Sequence, residues 1–422
     1  MSIYQEIVKT IAKDIQNGNL EKGSKLPSIR QISQTYGCSK DTAQRALLEL
    51  KYQNYIYAVP KSGYYVLEGP SKSNDTVLLN LNDYNQLAYE DFRLCLDESL
   101  SDHQDYLFNY YHEQAGLKEL VEALKNRLAS DDIYVNSNQI VITSGSQQAL
   151  YILSQMDFGN GAHKILLEQP TYHRMNHLVK RQNLSYETIN RNLDGIDFNL
   201  LEEHFKTGQI KFFYTISRYS NPLGLSYTAS EKEKVAQLAK QYNVYIVEDD
   251  YMGDFSDSKN LPIHYYDTQN QTIYIKSFST NLFSALRITS MILPQALLKP
   301  VLTYKTILDY DSNLIMQKAL SLYIDNGMYL TNKKRLLARK KEEEASLKTL
   351  MTQSPLLPHL TLTHDGILLE LDQVQSLAAL KHSGLPLDFF EAAYITSCPY
   401  QLAKIKSADV ANVLPKLTPF FE

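Results

Sequence analysis

Three cysteines, Cys38, Cys95 and Cys398, are all that the 422 residues carry. Odd in number and widely spaced, they offer neither a disulfide framework nor the paired spacing of a zinc site, and they suit a reducing compartment. Long apolar runs are missing too: no stretch approaches the roughly 18 residues needed to span a bilayer. The first residues carry Glu6, Lys9, Lys13 and Asp14, too much charge for a secretory leader, so the cytoplasm is the expected address and no membrane partner is expected. Repeats and low-complexity tracts are absent. Of the histidines, only His173 and His177 share a helical ligand spacing, and without an evident third ligand they read as a surface pair, so no metal site is expected.

What remains is a soluble globular composition, 44% hydrophobic and 21% charged, with enough chain for two or three domains. The net charge of −5 is unevenly spread. Residues 1–70 hold nine basic side chains against six acidic ones, a net +3 that leaves −8 on the remainder. A mildly basic head on an acidic body points toward nucleic acid for the head.

In the head, Ile3, Ile7, Ile11 and Ile15 recur every four residues, which predicts an amphipathic helix ending at Asn17-Gly18. A turn at Gly23–Pro27 leads into a second helix carrying Ile29, Ile32 and Tyr36, closed by Gly37. Ser39 suits the N-cap of a third helix, with Ala43, Ala46, Leu47 and Leu50 inward. Two β-rich runs, Tyr55–Val59 and Tyr64–Leu67, flank Pro60-Lys61-Ser62-Gly63 as a hairpin. Three helices and a hairpin make a winged helix-turn-helix.

The head resembles the GntR family of bacterial regulators along its whole length. The resemblance is carried by Lys25-Leu26-Pro27-Ser28-Ile29-Arg30, by Gly37-Cys38-Ser39-Lys40-Asp41-Thr42-Ala43-Gln44-Arg45-Ala46-Leu47, and by the wing Lys61-Ser62-Gly63-Tyr64-Tyr65-Val66. It implies a double-stranded DNA operator as partner, with the second helix of the motif in the major groove. Arg30, Ser39, Lys40, Thr42 and Gln44 are then expected to approach DNA, Lys61 and Gly63 to place the wing, and Arg45 to add a cation. Lys and Arg neutralise phosphate, while Gln and Thr can read base edges.

Residues 68–75 are polar and rich in breakers, and 68–79 read as a linker. Beyond them helical patterns alternate with short β-rich runs (Gln139–Thr143, Lys164–Glu168, Lys211–Thr215, Val244–Glu248, Thr272–Ile275), which predicts an α/β body with a mainly parallel sheet. The division expected is a head over 1–67, the linker, and a body over 80–422, large part 80–294 and small C-terminal α+β part 295–422.

The turns after these runs resemble the cofactor site of class I aminotransferases of fold type I. The matching stretches are Tyr111–Leu117, Thr143–Leu150, Glu168–Tyr172, Ser220–Gly224, Glu248–Tyr251 and Ser277–Arg287. The resemblance implies pyridoxal 5'-phosphate (PLP) as cofactor. It places Tyr111 on the phosphate of a partner subunit, hence a homodimer. Ser146, Gln147, Ser277, Ser279 and Arg287 fall in the phosphate cup, Tyr172 on the ring face, Asn221 and Tyr251 at the ring oxygen, and Asp249 at the pyridine nitrogen. Arg174 is a candidate for an effector carboxylate. The glycine-containing turn into a helix N-terminus at 143–150 also suits a phosphate on physical grounds. The GntR-type head joined to this body is similar to the MocR/GabR-type regulators.

Two departures from that pattern decide the functional expectation. Thr280 stands where the family has the lysine that bonds PLP, so no catalytic residue is assigned and turnover as an aminotransferase is expected to be lost. Gln401 stands where an arginine fixes the substrate carboxylate. Lys276, four residues before Thr280, is either an exposed strand-end lysine or a substitute amine, the first being favoured. Three readings stay open: a regulator whose body senses noncovalent PLP or an amine or amino-acid effector; a PLP enzyme working through Lys276; and a cofactor-free body that only dimerises. The charge clusters Lys333-Lys334-Arg335 and Arg339–Glu344 are expected to form a solvated face of one long helix.

Overall fold

The computed structural model describes residues 3–53, 55–59, 62–67, 81–101, 113–256, 259–309, 311–421. Its two compact units are not contiguous in sequence: one joins 1–110 to 315–334, the other 111–314 to 335–422.

In the first unit, α1 (Ile3–Gln16), α2 (Ile29–Thr35) and α3 (Lys40–Tyr52) precede an antiparallel hairpin of β1 (Ile56–Val59) and β2 (Gly63–Val66). The four-residue period works as expected, since Ile7, Ile11 and Ile15 are buried with Ala43, Ala46, Leu47, Leu50 and Val66 in one core. The second helix starts later than Pro27 suggests. Ser28 caps it by accepting from the Gln31 amide, and Gln31 returns its side chain to the Ser28 amide, so a capping box sets the boundary.

The winged head does not stand alone in this unit. Helix α4 (Leu81–Ser101) packs with it: Lys22 lies 2.9 Å from the buried carboxylate of Asp91 and 3.6 Å from Glu90. Tyr57 of the wing strand is buried, and its phenol is pushed up by that burial and by Cys95, Tyr65, Asp91 and Glu98. On its other neighbours, Phe92 meets Tyr323 of α12 (Leu314–Asp325), ring centroids 5.9 Å apart, and Cys95 lies 3.5 Å from Met328.

The second unit is built on an eight-stranded mixed sheet. Its strands are β3 (Ile140–Thr143), β4 (Lys164–Gln169), β5 (Tyr186–Asn192), β6 (Gly195–Ile196), β7 (Ile210–Thr215), β8 (Tyr245–Asp249), β9 (Thr272–Ser277) and β10 (Thr289–Ile292). They are ordered β3-β10-β9-β8-β7-β4-β5-β6, and the run from β9 to β5 is parallel. β10 inserts antiparallel to both neighbours. Helices α5 (Lys118–Ala129), α6 (Ser146–Gln155), α7 (His173–Arg181), α8 (Phe198–Lys206), α9 (Ala229–Tyr242), the short α10 (Ile263–Tyr266) and α11 (Gln295–Leu308) connect the strands. Two apolar clusters form, one holding Val247, Ile273 and Ile275 with α6, the other Phe213 and Ile246 with α8 and α9. Both faces are therefore covered, as parallel strands require.

Helix α13 (Met328–Thr352) leads into a three-stranded antiparallel sheet of β11 (Leu360–Thr363), β12 (Gly366–Glu370) and β13 (Leu402–Lys406), the expected small α+β part. α14 (Leu377–His382) and α15 (Val410–Val413) close its core. The long helix corrects one expectation: Lys340 is not on a solvated face. Its ammonium donates to the Tyr219 hydroxyl at 2.6 Å and the Phe255 carbonyl at 3.1 Å, and lies 3.8 Å over the Tyr219 ring.

Asp91 is buried beside a lysine that is only partly exposed, so removing the carboxylate takes away the nearer of its two acidic neighbours. We expect Asp91→Ala to lower the urea-unfolding free energy by about 1–3 kcal/mol. Exposed Asp97→Ala on the same helix should change it by less than about 0.5 kcal/mol.

Candidate cofactor pocket and DNA-reading head

Side-chain alternation at the end of β8 separates its carboxylates. Asp249 falls on the face of Tyr214 and Val247, and its Oδ2 accepts from the Tyr214 hydroxyl at 2.9 Å. Glu248 and Asp250 fall on the opposite face, where Glu248 accepts from the amides of Ile263 and His264, and Asp250 pairs with Arg218 and Tyr274. The Arg218 Nε–Asp250 contact is 3.0 Å.

Lys276 follows the same rule. On β9, Ile275 is the register partner of Asp249, so Lys276 points to the other side with Tyr274. It is 5% exposed, and its ammonium lies 2.8 Å from Asp254. Asp254 also accepts from Asn281 at 2.7 Å and faces Arg127 of α5 at 3.5 Å. The expectation of an exposed strand-end lysine is therefore corrected. A buried carboxylate draws the ammonium inward, because either charge left alone there would be costly.

Around Asp249 the other expected residues assemble in part. Gln147 donates to the Tyr172 hydroxyl at 3.4 Å, and the Tyr172 phenol is raised by burial and by Asp249, with Arg174 and Arg287 opposing. Those five side chains therefore share one electrostatic neighbourhood. Tyr251 donates to the Tyr219 carbonyl at 3.1 Å, tying it to the 219–224 turn that carries half-buried Asn221. Ser146 opens α6 and sits 3.4 Å from Thr289, and Ser277 and Ser279 lie 3.4 Å apart, next to half-buried Thr280. Arg287, in the left-handed region at φ 54°, reaches the Ser144 carbonyl at 3.4 Å. Gly145 is required twice: its φ is 86°, and a Cβ there would fall on the Arg287 guanidinium. Gln401 is exposed, with its carbonyl accepting from Leu371. Tyr111 lies outside the described residues. His173 and His177 are exposed neighbours, and the described residues hold no metal-binding group.

Asp249 tests the fit of PLP. Its Oδ1 is buried and has no hydrogen-bond partner among the described residues, and burial, opposed by Tyr214 and aided by Asp250, lifts the carboxyl to about 7. A protonated ring nitrogen is the type of donor that would satisfy it. At the opposite end an exposed arginine meets a glycine-lined turn and a helix N-terminus, which suits a phosphate. The residues present fit the cofactor's two polar ends.

In the head, Arg30, Lys40, Gln44 and Arg45 are exposed. Ser39 caps α3, accepting from the Thr42 amide at 3.1 Å, while the two hydroxyls lie 2.9 Å apart. Arg45 rests 5.5 Å over the Tyr4 ring. Gly63 opens β2 at φ 127°, and Lys61 lies outside the described residues. Sequence reading missed Tyr214, Arg218 and Asp254, the partners that hold the strand-end charges. The local signal was an excess of acids at and just after the end of β8: Asp249, Asp250 and Asp254.

A winged head and an aminotransferase-type sheet with phosphate- and pyridine-suited ends define a regulator with an enzyme-derived body. Comparison with known proteins agrees. Residues 3–66 match the bacterial regulatory proteins of the gntR family, and residues 74–312 match aminotransferase class I and II. YcxD of Bacillus subtilis, an HTH-type transcriptional regulator, is 38% identical over 354 residues, covering 82% of this chain and 80% of the relative. YdcR of Escherichia coli, of the same type, is 27% identical over 68% of each chain. Among solved structures, the multiple substrate aminotransferase of Thermococcus profundus superposes with a TM-score of 0.70 at 20% identity, over 90% of this chain and 94% of the other. An archaeal alanine:glyoxylate aminotransferase gives 0.67 at 17%, over 100% and 95%. The chain belongs to the HTH-type transcriptional regulators of MocR-like architecture: it is a DNA-binding regulator with an aminotransferase-like domain. Among the described residues no helix is long and apolar enough to cross a membrane.

Asp249 generates a pH prediction. Its folded-state value lies above the unfolded one, so this group favours folding at low pH, and the benefit fades as pH rises from about 4 through about 7. Asp249→Asn should therefore stabilise the ligand-free protein at pH 8, by at most about 4 kcal/mol, and have little effect at about pH 3. Thermal melts of both proteins across that range provide the check.

Proposed function

We propose that this regulator is a homodimer whose body binds PLP or a close analogue noncovalently and, in response, alters how two heads meet two DNA half-sites. The observation that carries this reading is the buried, unpartnered oxygen of Asp249, set in the same neighbourhood as Arg287. In this reading Arg287, Ser146, Gln147, Ser277, Ser279 and the α6 N-terminus hold the phosphate. Tyr172 covers the ring, Asp249 pairs with its nitrogen, and Asn221 and Tyr251 bond its oxygen. Arg174 is available to a carboxylate on an amine effector. When bound, PLP supplies an electron sink, yet Thr280 has no amine to attach it or to carry a proton between carbons. Lys276 is held by Asp254 on the other face of the sheet, which argues against the enzymatic reading. The ligand regulates only if it prefers one arrangement of the heads over another.

On the DNA side, Arg30 and Lys40 are proposed phosphate contacts and Gln44 a base contact, with Ser39, Thr42, Arg45, Lys61 and Gly63 around them. Segments 1–67, 68–79 and 80–422 are the proposed functional modules. Arg30→Ala and Lys40→Ala should each weaken binding to duplexes selected from a random library and lower the salt slope by about one per contact. Intact binding in both variants at moderate salt would remove the proposed DNA contacts. Borohydride reduction with PLP should leave the wild type without a covalent adduct, and one on Lys276 would restore the enzymatic reading.

A further inference from the structure

Ser144 lies in the turn that opens α6, and each of its polar groups is held by the protein. Its amide donates to the Gln148 side chain at 2.8 Å. Its carbonyl meets the Arg287 guanidinium at 3.4 Å. Its hydroxyl turns to Asp309, just past α11, and donates to Oδ2 at 2.7 Å, with the Ser312 hydroxyl at a longer 3.2 Å. The next amide, that of Gly145, donates to the Thr143 carbonyl at 2.8 Å. A phosphate at this turn is therefore left the Arg287 side chain and the amides of Ser146 and Gln147, which open the helix and have no intrahelical acceptor.

Asp309 meets the turn with both oxygens in use. Oδ1 receives the ammonium of Lys305, 3.0 Å away on a side chain that is 1% exposed, while Oδ2 receives Ser144. An ionised carboxylate accepts on each oxygen, whereas an amide has one oxygen to offer. Burial would raise the carboxyl, but Gln148, Ser144 and Lys305 outweigh it and hold the group below the usual carboxylate range. Pairing with Lys305 also leaves little net charge to repel an anion at the turn. We infer that Asp309 is a positioning residue for the phosphate end of the pocket: by holding the Ser144 hydroxyl it fixes the turn whose following amides face the ligand. The inference rests on the reading above that the pocket takes a PLP-type molecule, and it names a residue that sets the geometry of that molecule's phosphate site. Asp309 acts through Ser144. Without the contact the turn is free to sample other orientations, and ordering it falls to the ligand.

The test is calorimetry on the full-length protein in phosphate-free buffer with pyridoxine 5'-phosphate, whose alcohol carbon does not react with lysines. The phosphorus NMR resonance of the bound ligand is recorded alongside. Ser144→Ala and Asp309→Asn should each weaken binding by about three- to tenfold, the scale of one hydrogen bond, and displace the phosphorus resonance. Because the two residues act as a pair, the double variant should bind no worse than the poorer single one. A loss below about threefold in either single variant, losses that multiply in the double, or an unmoved phosphorus resonance overturns the inference and leaves the pocket reading standing. Ser144→Ala keeps the Lys305–Asp309 pair, so it carries the test where Asp309→Asn fails to fold. Failure of the wild type to bind overturns the pocket reading as well.

Discussion

At the carboxyl end of the central parallel strands, three consecutive acids must be buried without their charges colliding. Alternation along β8 solves this by sending Asp249 to one face and Glu248 and Asp250 to the other. On the crowded face each carboxylate has partners from neighbouring strands or backbone amides, and Asp254 extends the set to Arg127, Lys276 and Asn281. On the other face, among the described residues, the Asp249 side chain is met by the Tyr214 hydroxyl alone. A buried carboxylate with half its acceptor capacity unmet is expensive. The fold keeps one in its pocket and resolves the others with protein groups.

Much of the architecture could be read from the residues. The isoleucine period of α1, the wing hairpin and the five β-rich runs correspond to observed elements within a residue or two. The strands that escaped notice are those whose pattern is set by neighbours. β5 reads Tyr-Glu-Thr-Ile-Asn-Arg-Asn, too polar to announce a strand, and becomes one because it pairs with β4. Pocket residues were visible as motif positions, whereas the groups that orient them were not. Tyr214 and Arg218 lie more than 30 residues from the acids they serve, and no local spacing reports such pairs. Lys340 sits among like charges on a long helix, and only the fold reveals that its stem runs inward to Tyr219.

Loss of a reactive residue is often taken as decay of a site. If Thr280 stands in for such a residue, as proposed above, its surroundings argue against simple decay. Gly145 still gives way to Arg287, Tyr172 is still reached by Gln147, and Asp249 still lacks the partner that a pyridine ring would bring. Lys276, the nearest lysine along the strand, has been drawn into a structural ion pair. Chemistry and recognition place separate demands on such a pocket, and in the proposed reading the second set is the one kept.

Helix α4 lies inside the aminotransferase-matched segment, yet it shares a compact unit with the winged head and holds Lys22 through Asp91. The seam between the two ancestral modules therefore does not coincide with the seam between structural units. For anyone exchanging heads among these regulators, the transferable piece is larger than the recognisable DNA-binding motif. A transplanted head must bring a compatible α4 surface with it, or leave an acidic helix facing the wrong charges.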